Sequence, residues 1–105
     1  MIDWDRVTRL RDDVGEDAFA EVKDMFVVET ERVLSQFAAG GSGQWEEDFH
    51  SLKSSALNMG FEEVARLCQD AELRARTGAA GPADAAAVTA SFKASMAAFE
   101  QGLAP

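Results

Sequence analysis

The chain has 105 residues, a net charge of −9 and one cysteine, so we expect a single domain over residues 1–105 with no internal disulfide. Its acidic charge, without a cluster of Lys and Arg, argues against nucleic acid and anionic membranes as partners. Because the chain opens without a signal-peptide pattern and contains no apolar run long enough to cross a bilayer, we expect a cytoplasmic protein.

The first half of the chain predicts two helices. Asp3 is suited to the N-cap of the first helix, and Gly15 marks its end. The acidic Glu16 opens the second helix, which is expected to run to about Ala38. The segment GGSG at 40–43 predicts a loop, because three glycines do not hold a helix. Apolar residues recur at helical spacing in both helices: Val7, Leu10 and Val14 in the first, and Phe19, Val22, Phe26, Val33 and Phe37 in the second.

The second half predicts three more helices. The third begins near Gln44 and is interrupted by Gly60, and the fourth follows at once. The segment TGAAG at 77–81 predicts a loop, and Gly81 with Pro82 begins the last helix. The expected inward residues are Trp45, Phe49, Leu52, Ala56 and Met59, then Phe61, Val64, Ala65, Cys68, Ala71 and Ala75, then Ala85, Val88, Phe92, Met96, Phe99 and Leu103.

These elements predict an all-α fold. Four of the five helices are long enough to pack together, and short loops make sequential helices antiparallel neighbours. We therefore expect an antiparallel up-down four-helix bundle with a short additional N-terminal helix.

His50, the only histidine, is expected to face outward from the third helix. At about 100° per residue it lies about 140° from the apolar seam, with Ser54 at about 180° and Lys53 at about 80°. Leu57 shares the outer face and could belong to a docking patch. A surface histidine without a role is an equally good interpretation of this geometry alone.

Several kinds of site do not fit the pattern. One His and one Cys on different helices lack the ligand spacing of a zinc site. Ser54 and Ser55 lie within a helix, without the strand and turn of a nucleophile elbow. The segment GGSG lacks the Lys of a phosphate-binding loop. Glu46 and Glu47 lie near His50, but acidic residues in a first helical turn are usually solvated.

The segment HSLKSSALNMG at 50–60 resembles the signature of histidine-containing phosphotransfer domains. That pattern has a His, a Leu two places on, a Lys three places on, small residues, and a Gly ten places after the His. The matching residues here are His50, Leu52, Lys53, Ser54, Ser55, Ala56 and Gly60. The spacing of Val64, Leu67, Cys68 and Glu72 continues the resemblance. Ser54 departs from the Gly most common at that position, but it is still small.

The resemblance implies that His50 accepts a phosphoryl group and passes it on. Lys53 would stabilise the phosphoryl charge, and Ser54 would leave room for the partner and hydrogen-bond the imidazole or the phosphate. Leu57, Glu46 and Glu47 are expected to contribute to docking. Met25 and Val28 on the second helix could add apolar docking area, but the favoured interpretation of these two is that they widen the core face of that helix.

The implied partners are receiver domains of response regulators and a hybrid histidine kinase, with the chain itself a monomer. No cofactor of its own is expected, because the receiver would supply the Mg²⁺. Two alternatives stay open. The chain could be a binding module, an adaptor or kinase inhibitor, that carries no phosphate. It could also be a phosphohistidine phosphatase, although the sequence indicates no acid or base near His50 beyond Glu46 and Glu47.

Overall fold

The computed structural model describes residues 1–103; Ala104 and Pro105, which the single-domain prediction includes, lie outside the described residues. The described part is all-helical, as predicted. Apart from an isolated bridge between Ile2 and Phe61, residues 1–103 contain no strand. The helices are α1 Trp4–Val14, α2 Glu16–Ala38, α3 Trp45–Asn58, α4 Glu62–Ala75 and α5 Pro82–Leu103.

The helix ends follow from local sequence. The Asp3 carboxylate accepts a hydrogen bond from the backbone N–H of Arg6, so Asp3 is the N-cap of α1 as predicted. Gly15, at φ +87°, ends α1, and its N–H donates to the carbonyl of Arg11. Gln44 is the N-cap of α3. Such ends depend on a few neighbouring residues, and the predicted helix bounds are therefore confirmed closely.

Aromatic side chains dominate the core. All seven phenylalanines are buried, and several pack edge to face or tilted against one another. Trp45, predicted to lie in the seam of α3, is only half-buried and packs at the edge of the core beside Phe37 and Phe49. Val14 is exposed because it is the last residue of α1. Helices α2, α3, α4 and α5 all contribute buried side chains to this core.

The four longer helices contact one another in a closed ring. Helix α2 packs against α3 and α5, and α4 packs against the same two helices. This set of contacts fits a four-helix bundle. Within residues 1–103, every helix is too short or too polar to cross a membrane.

Helix α1 covers the end of the bundle where α3 passes into α4. The backbone N–H of Asp3 donates to the carbonyl of Gly60 at 2.7 Å, and that of Glu62 donates to the carbonyl of Met1. Gly60 has φ +78°, a conformation that favours glycine. The Trp4 ring stacks on Phe99 of α5. The turn that follows the His50 helix is therefore held from outside by the N-terminal segment.

Candidate functional site

His50 stands on the outer side of α3. Its neighbour Phe49 is fully buried and Leu52 is nearly so, which fixes the rotation of the helix against the bundle. The His50 side chain is 58% exposed. The prediction that the imidazole faces outward is therefore confirmed, and the ring is mounted on a helix whose opposite side is packed into the core.

A buried carboxylate on the next helix holds the inner edge of the imidazole. Oε1 of Glu72 in α4 lies 2.9 Å from Nδ1 of His50, and Oε2 accepts a hydrogen bond from Nζ of Lys53 at 3.0 Å. The Glu72 side chain is only 7% exposed. Both oxygens therefore have a partner, as a buried carboxylate requires.

The charge on Glu72 decides which ring nitrogen of His50 carries a proton. The hydrogen bond from Lys53 lowers the pKa of Glu72, burial opposes this, and the His50 contact lowers it further. The carboxylate is therefore ionised near neutral pH and can only accept hydrogen bonds. Nδ1 must then be the donor. In the neutral ring this leaves the lone pair on Nε2, which makes no hydrogen bond within residues 1–103.

Glu72 is the functional residue that the sequence analysis did not assign to His50. The statement that no acid or base lies near His50 beyond Glu46 and Glu47 was wrong, because α4 brings Glu72 against the ring. One signal was present in the sequence. Glu72 is a lone acidic residue on the otherwise apolar inner face of α4, which includes Ala65, Cys68 and Ala71.

An exposed ion pair lies beside this buried one. Nε of Arg76, at the C-terminal end of α4, donates to Oε2 of Glu46 at 3.2 Å. Nη2 of Arg76 is 3.6 Å from Oε1 of Glu72. Glu46, Glu47 and Glu72 line one cleft with His50 and Ser51. The structure thus brings Glu46 and Glu47 next to His50, on the side of the ring that faces the N-terminal end of α3.

The other predicted residues are Ser54 and Leu57 of α3 and Met25 and Val28 of α2. Oγ of Ser54 donates to the backbone carbonyl of His50 at 3.2 Å, so in this structure the hydroxyl is not bonded to the imidazole. Leu57 is exposed. Met25 and Val28 on α2 are 70% and 69% exposed, so the interpretation that they widen the core face of that helix was wrong. Met25 lines an open groove between α2 and α3 together with Ser55 of α3.

Residues 1–103 contain no group of three His, Cys, Asp or Glu side chains that could hold a metal ion. Cys68 is fully buried, and burial raises the pKa of its thiol to about 12. It behaves as a small core residue rather than as a ligand or nucleophile.

The described residues thus form an all-helical scaffold that presents one exposed histidine backed by a buried acid. Comparison with protein families matches residues 21–102 to the Hpt domain. The chain belongs to this family, whose function is phosphotransfer in phosphorelays. The matched range spans the helices that carry His50 and Glu72. Searches of curated proteins and of solved structures found no match.

Proposed function

We propose that this chain is an intermediate of a two-component phosphorelay. His50 accepts a phosphoryl group from the aspartyl phosphate of one receiver domain and passes it to the aspartate of another. The observation that carries the proposal is the orientation of the imidazole: Nδ1 is bound to the buried Glu72, and the exposed ring leaves Nε2 as the nucleophile.

The transfer step needs no proton movement in this arrangement. The lone pair on Nε2 of His50 forms the new N–P bond, and the P–O bond to the receiver aspartate breaks, with its electron pair returning to the carboxylate. The ring becomes positively charged and keeps its Nδ1 proton, which Glu72 stabilises. In the onward transfer a carboxylate oxygen of the second receiver's aspartate forms the new O–P bond, and the P–N bond breaks with its electron pair returning to Nε2. The ring therefore leaves as a neutral imidazole.

The remaining catalytic parts are assigned to the receiver. Phosphoryl transfer depends mainly on positioning and charge stabilisation, and the Mg²⁺ would come with the receiver's active site. The chain is then a phosphocarrier with no cofactor of its own and not an ATP-using enzyme. Lys53 supports the site by holding Glu72 ionised. Direct contact between Lys53 and the phosphoryl group stays a prediction.

Exposed side chains of two kinds would orient the receiver. Glu46 and Glu47 offer negative charge in the cleft that they share with His50, and Leu57 on α3 offers apolar contact area. Met25 and Val28 add exposed apolar side chains on α2. Ser54, small and exposed, keeps the approach to the ring open. Partners of this kind would carry an apolar patch with basic groups at one edge.

The wider setting is inferred from the family. We place the chain in the cytoplasm as a monomer that acts between a hybrid histidine kinase and a response regulator. The up-down antiparallel order of the four longer helices, and the single domain over residues 1–105, remain part of this proposal; the ring of helix contacts supports the former.

Transfer of labelled phosphate tests the function. The chain is incubated with a phosphorylated receiver domain and Mg²⁺, and the label on each protein is followed over time. We expect label on the wild-type chain, none on H50Q, and loss of label when a second receiver is added. A chain that never takes up label from any receiver of its source would instead be the binding module, and free phosphate released without a receiver would indicate a phosphatase.

A further inference from the structure

Arg76 is a cation beside the phosphoacceptor that has no role in the transfer step described above. It follows Glu72 by one helical turn, and its Nη2 lies 3.6 Å from the same Oε1 atom that accepts from His50. The guanidinium and the imidazole therefore both approach one Glu72 oxygen. The Arg76 side chain is 57% exposed, and its other contact is the exposed Glu46.

Lys53, the other cation at the site, is held differently. Its side chain is 22% exposed, and its Nζ is bonded to Oε2 of the buried Glu72. Removing Lys53 from that carboxylate would leave a buried charge without its partner, which is costly. The pair between Arg76 and Glu46 is exposed on both sides, and exposed ion pairs contribute little to stability. Arg76 is therefore the cation that can change partners at low cost.

Phosphorylation creates a need for such a cation. A phosphoryl group adds close to two negative charges at neutral pH. The charged groups around His50 come from two helices, Glu46, Glu47 and Lys53 from α3 and Glu72 and Arg76 from α4. The surroundings are thus rich in carboxylates, in a chain that already carries a net charge of −9. A phosphoryl group on Nε2 would compete directly with Glu46 for the guanidinium.

We infer that Arg76 exchanges Glu46 for the phosphoryl oxygens when His50 is phosphorylated, and that it stabilises the phosphorylated form of the chain. This inference rests on the proposed function. The planar guanidinium offers paired N–H donors that match a phosphate, which a lysine ammonium does not. In the unphosphorylated chain, Glu46 keeps Arg76 at the edge of the cleft.

The ionisation of the phosphoryl group reports this contact. The chain is phosphorylated on His50 with phosphoramidate, the donor is removed, and the ³¹P chemical shift is followed against pH. A guanidinium beside the phosphate favours the dianion, so R76Q should raise the midpoint of the titration. We expect an increase of about 0.5 to 1 pH unit, a three- to tenfold change in the ionisation constant.

Three variants control the measurement. R66Q removes an exposed arginine of α4 that pairs with Asp70, and should keep the wild-type midpoint. R76K keeps the charge but loses the paired donors and should lie between wild type and R76Q. H50Q should give no phosphohistidine signal. A midpoint unchanged in R76Q, or raised equally in R66Q, would overturn the inference about Arg76 alone. Failure of wild type to take phosphate from phosphoramidate and from phosphorylated receivers would overturn the proposed function with it.

Discussion

Nδ1 of His50 and Oε1 of Glu72 lie 2.9 Å apart, which joins the exposed imidazole to a carboxylate that is almost fully buried. The two residues are on neighbouring helices, 22 positions apart in the chain. This contact sets the tautomer of the ring and its orientation at once. It therefore makes Glu72 the residue whose substitution should change the reactivity of His50 most without touching His50 itself.

The first prediction is that E72Q slows phosphotransfer without removing it. A glutamine is neutral, so it no longer stabilises positive charge on the ring, and its amide N–H₂ can donate to Nδ1 and favour the other tautomer. We expect transfer from a phosphorylated receiver to slow about 10- to 100-fold, the range found when a histidine that binds a metal loses the group that orients it. Initial rates of label transfer measure the effect.

The matched control is E62Q, an exposed glutamate in the first turn of the same helix. It should transfer at the wild-type rate. Nitrogen-15 NMR of the imidazole adds an independent readout, with the Nδ1–H tautomer dominant in wild type and reduced in E72Q. A variant that transfers normally and keeps the wild-type tautomer would show that Glu72 has only a structural role.

The second prediction concerns stability at acid pH. The pKa of Glu72 is lowered in the folded chain from its ordinary value of 4.5, mainly by the hydrogen bond from Lys53. Its contribution to the free energy of unfolding is therefore complete above pH 4.5 and is lost as the pH falls through the lower folded value. At pH 7 we expect E72Q to be less stable than wild type by about 1.5–3 kcal/mol, the usual size of a charge-assisted hydrogen bond.

Urea unfolding of wild type and E72Q between pH 7 and pH 3 measures this difference. The difference in the free energy of unfolding between wild type and E72Q should become smaller as the Glu72 carboxylate of wild type takes up a proton. A difference that stays constant between pH 7 and pH 3 would mean that the ionised form of Glu72 does not contribute to stability.

Local signals in the sequence predicted most of the fold and the orientation of the phosphoacceptor. Asp3 and Gly15 act through bonds to residues three or four positions away, so their effect can be read from a few letters. The outward orientation of His50 follows from helical periodicity once Phe49 and Leu52 are recognised as core residues.

The contacts of Glu72 and Arg76 could not be predicted in the same way. They depend on how α3 and α4 are rotated and offset against each other, which the packing of many side chains decides together. His50 lies in α3 and Glu72 in α4, beyond the turn that joins the two helices. Helical periodicity relates positions within one helix, so it does not predict a contact between these two residues. The sequence did contain a hint, because Glu72 shares the predicted inner face of α4 with alanines and a cysteine, and a carboxylate buried there needs a partner.

The third prediction separates docking from chemistry. Leu57 is 54% exposed and lies outside the core. L57A should therefore change the free energy of unfolding by no more than about 0.5 kcal/mol. If its side chain packs against the receiver, the KM for the phosphorylated receiver should rise about five- to tenfold. Phosphorylation by phosphoramidate, which needs no docking, should keep its wild-type rate.

Val14 provides the control for this prediction. It is also an exposed aliphatic residue, but it lies at the end of α1. V14A should leave the KM unchanged. An equal KM for L57A and wild type would place the docking surface elsewhere.

The fourth prediction is that Cys68 reports unfolding. Burial raises the pKa of its thiol to about 12, so at pH 8 the folded chain has almost no reactive thiolate. Alkylation by iodoacetamide at pH 8 should therefore be slow, and its rate should increase with urea in parallel with unfolding followed by circular dichroism. Rapid alkylation without urea, at the rate of a free cysteine peptide, would show that the thiol is accessible in the folded chain.

The fifth prediction tests how the N-terminal segment holds the turn after the His50 helix. A Cβ at Gly60 would lie 2.7 Å from the carbonyl oxygen of Asp3 and 3.2 Å from Cγ2 of Val7, and the φ of +78° adds strain of its own. Gly78 has a similar φ of +74° but nothing within 4 Å of the corresponding position. G78A should therefore cost about 1 kcal/mol from the backbone alone, and G60A about 2–4 kcal/mol because the contact with Asp3 must also break. Urea unfolding of both variants measures the difference, and equal losses would mean that the segment before α1 moves aside without cost.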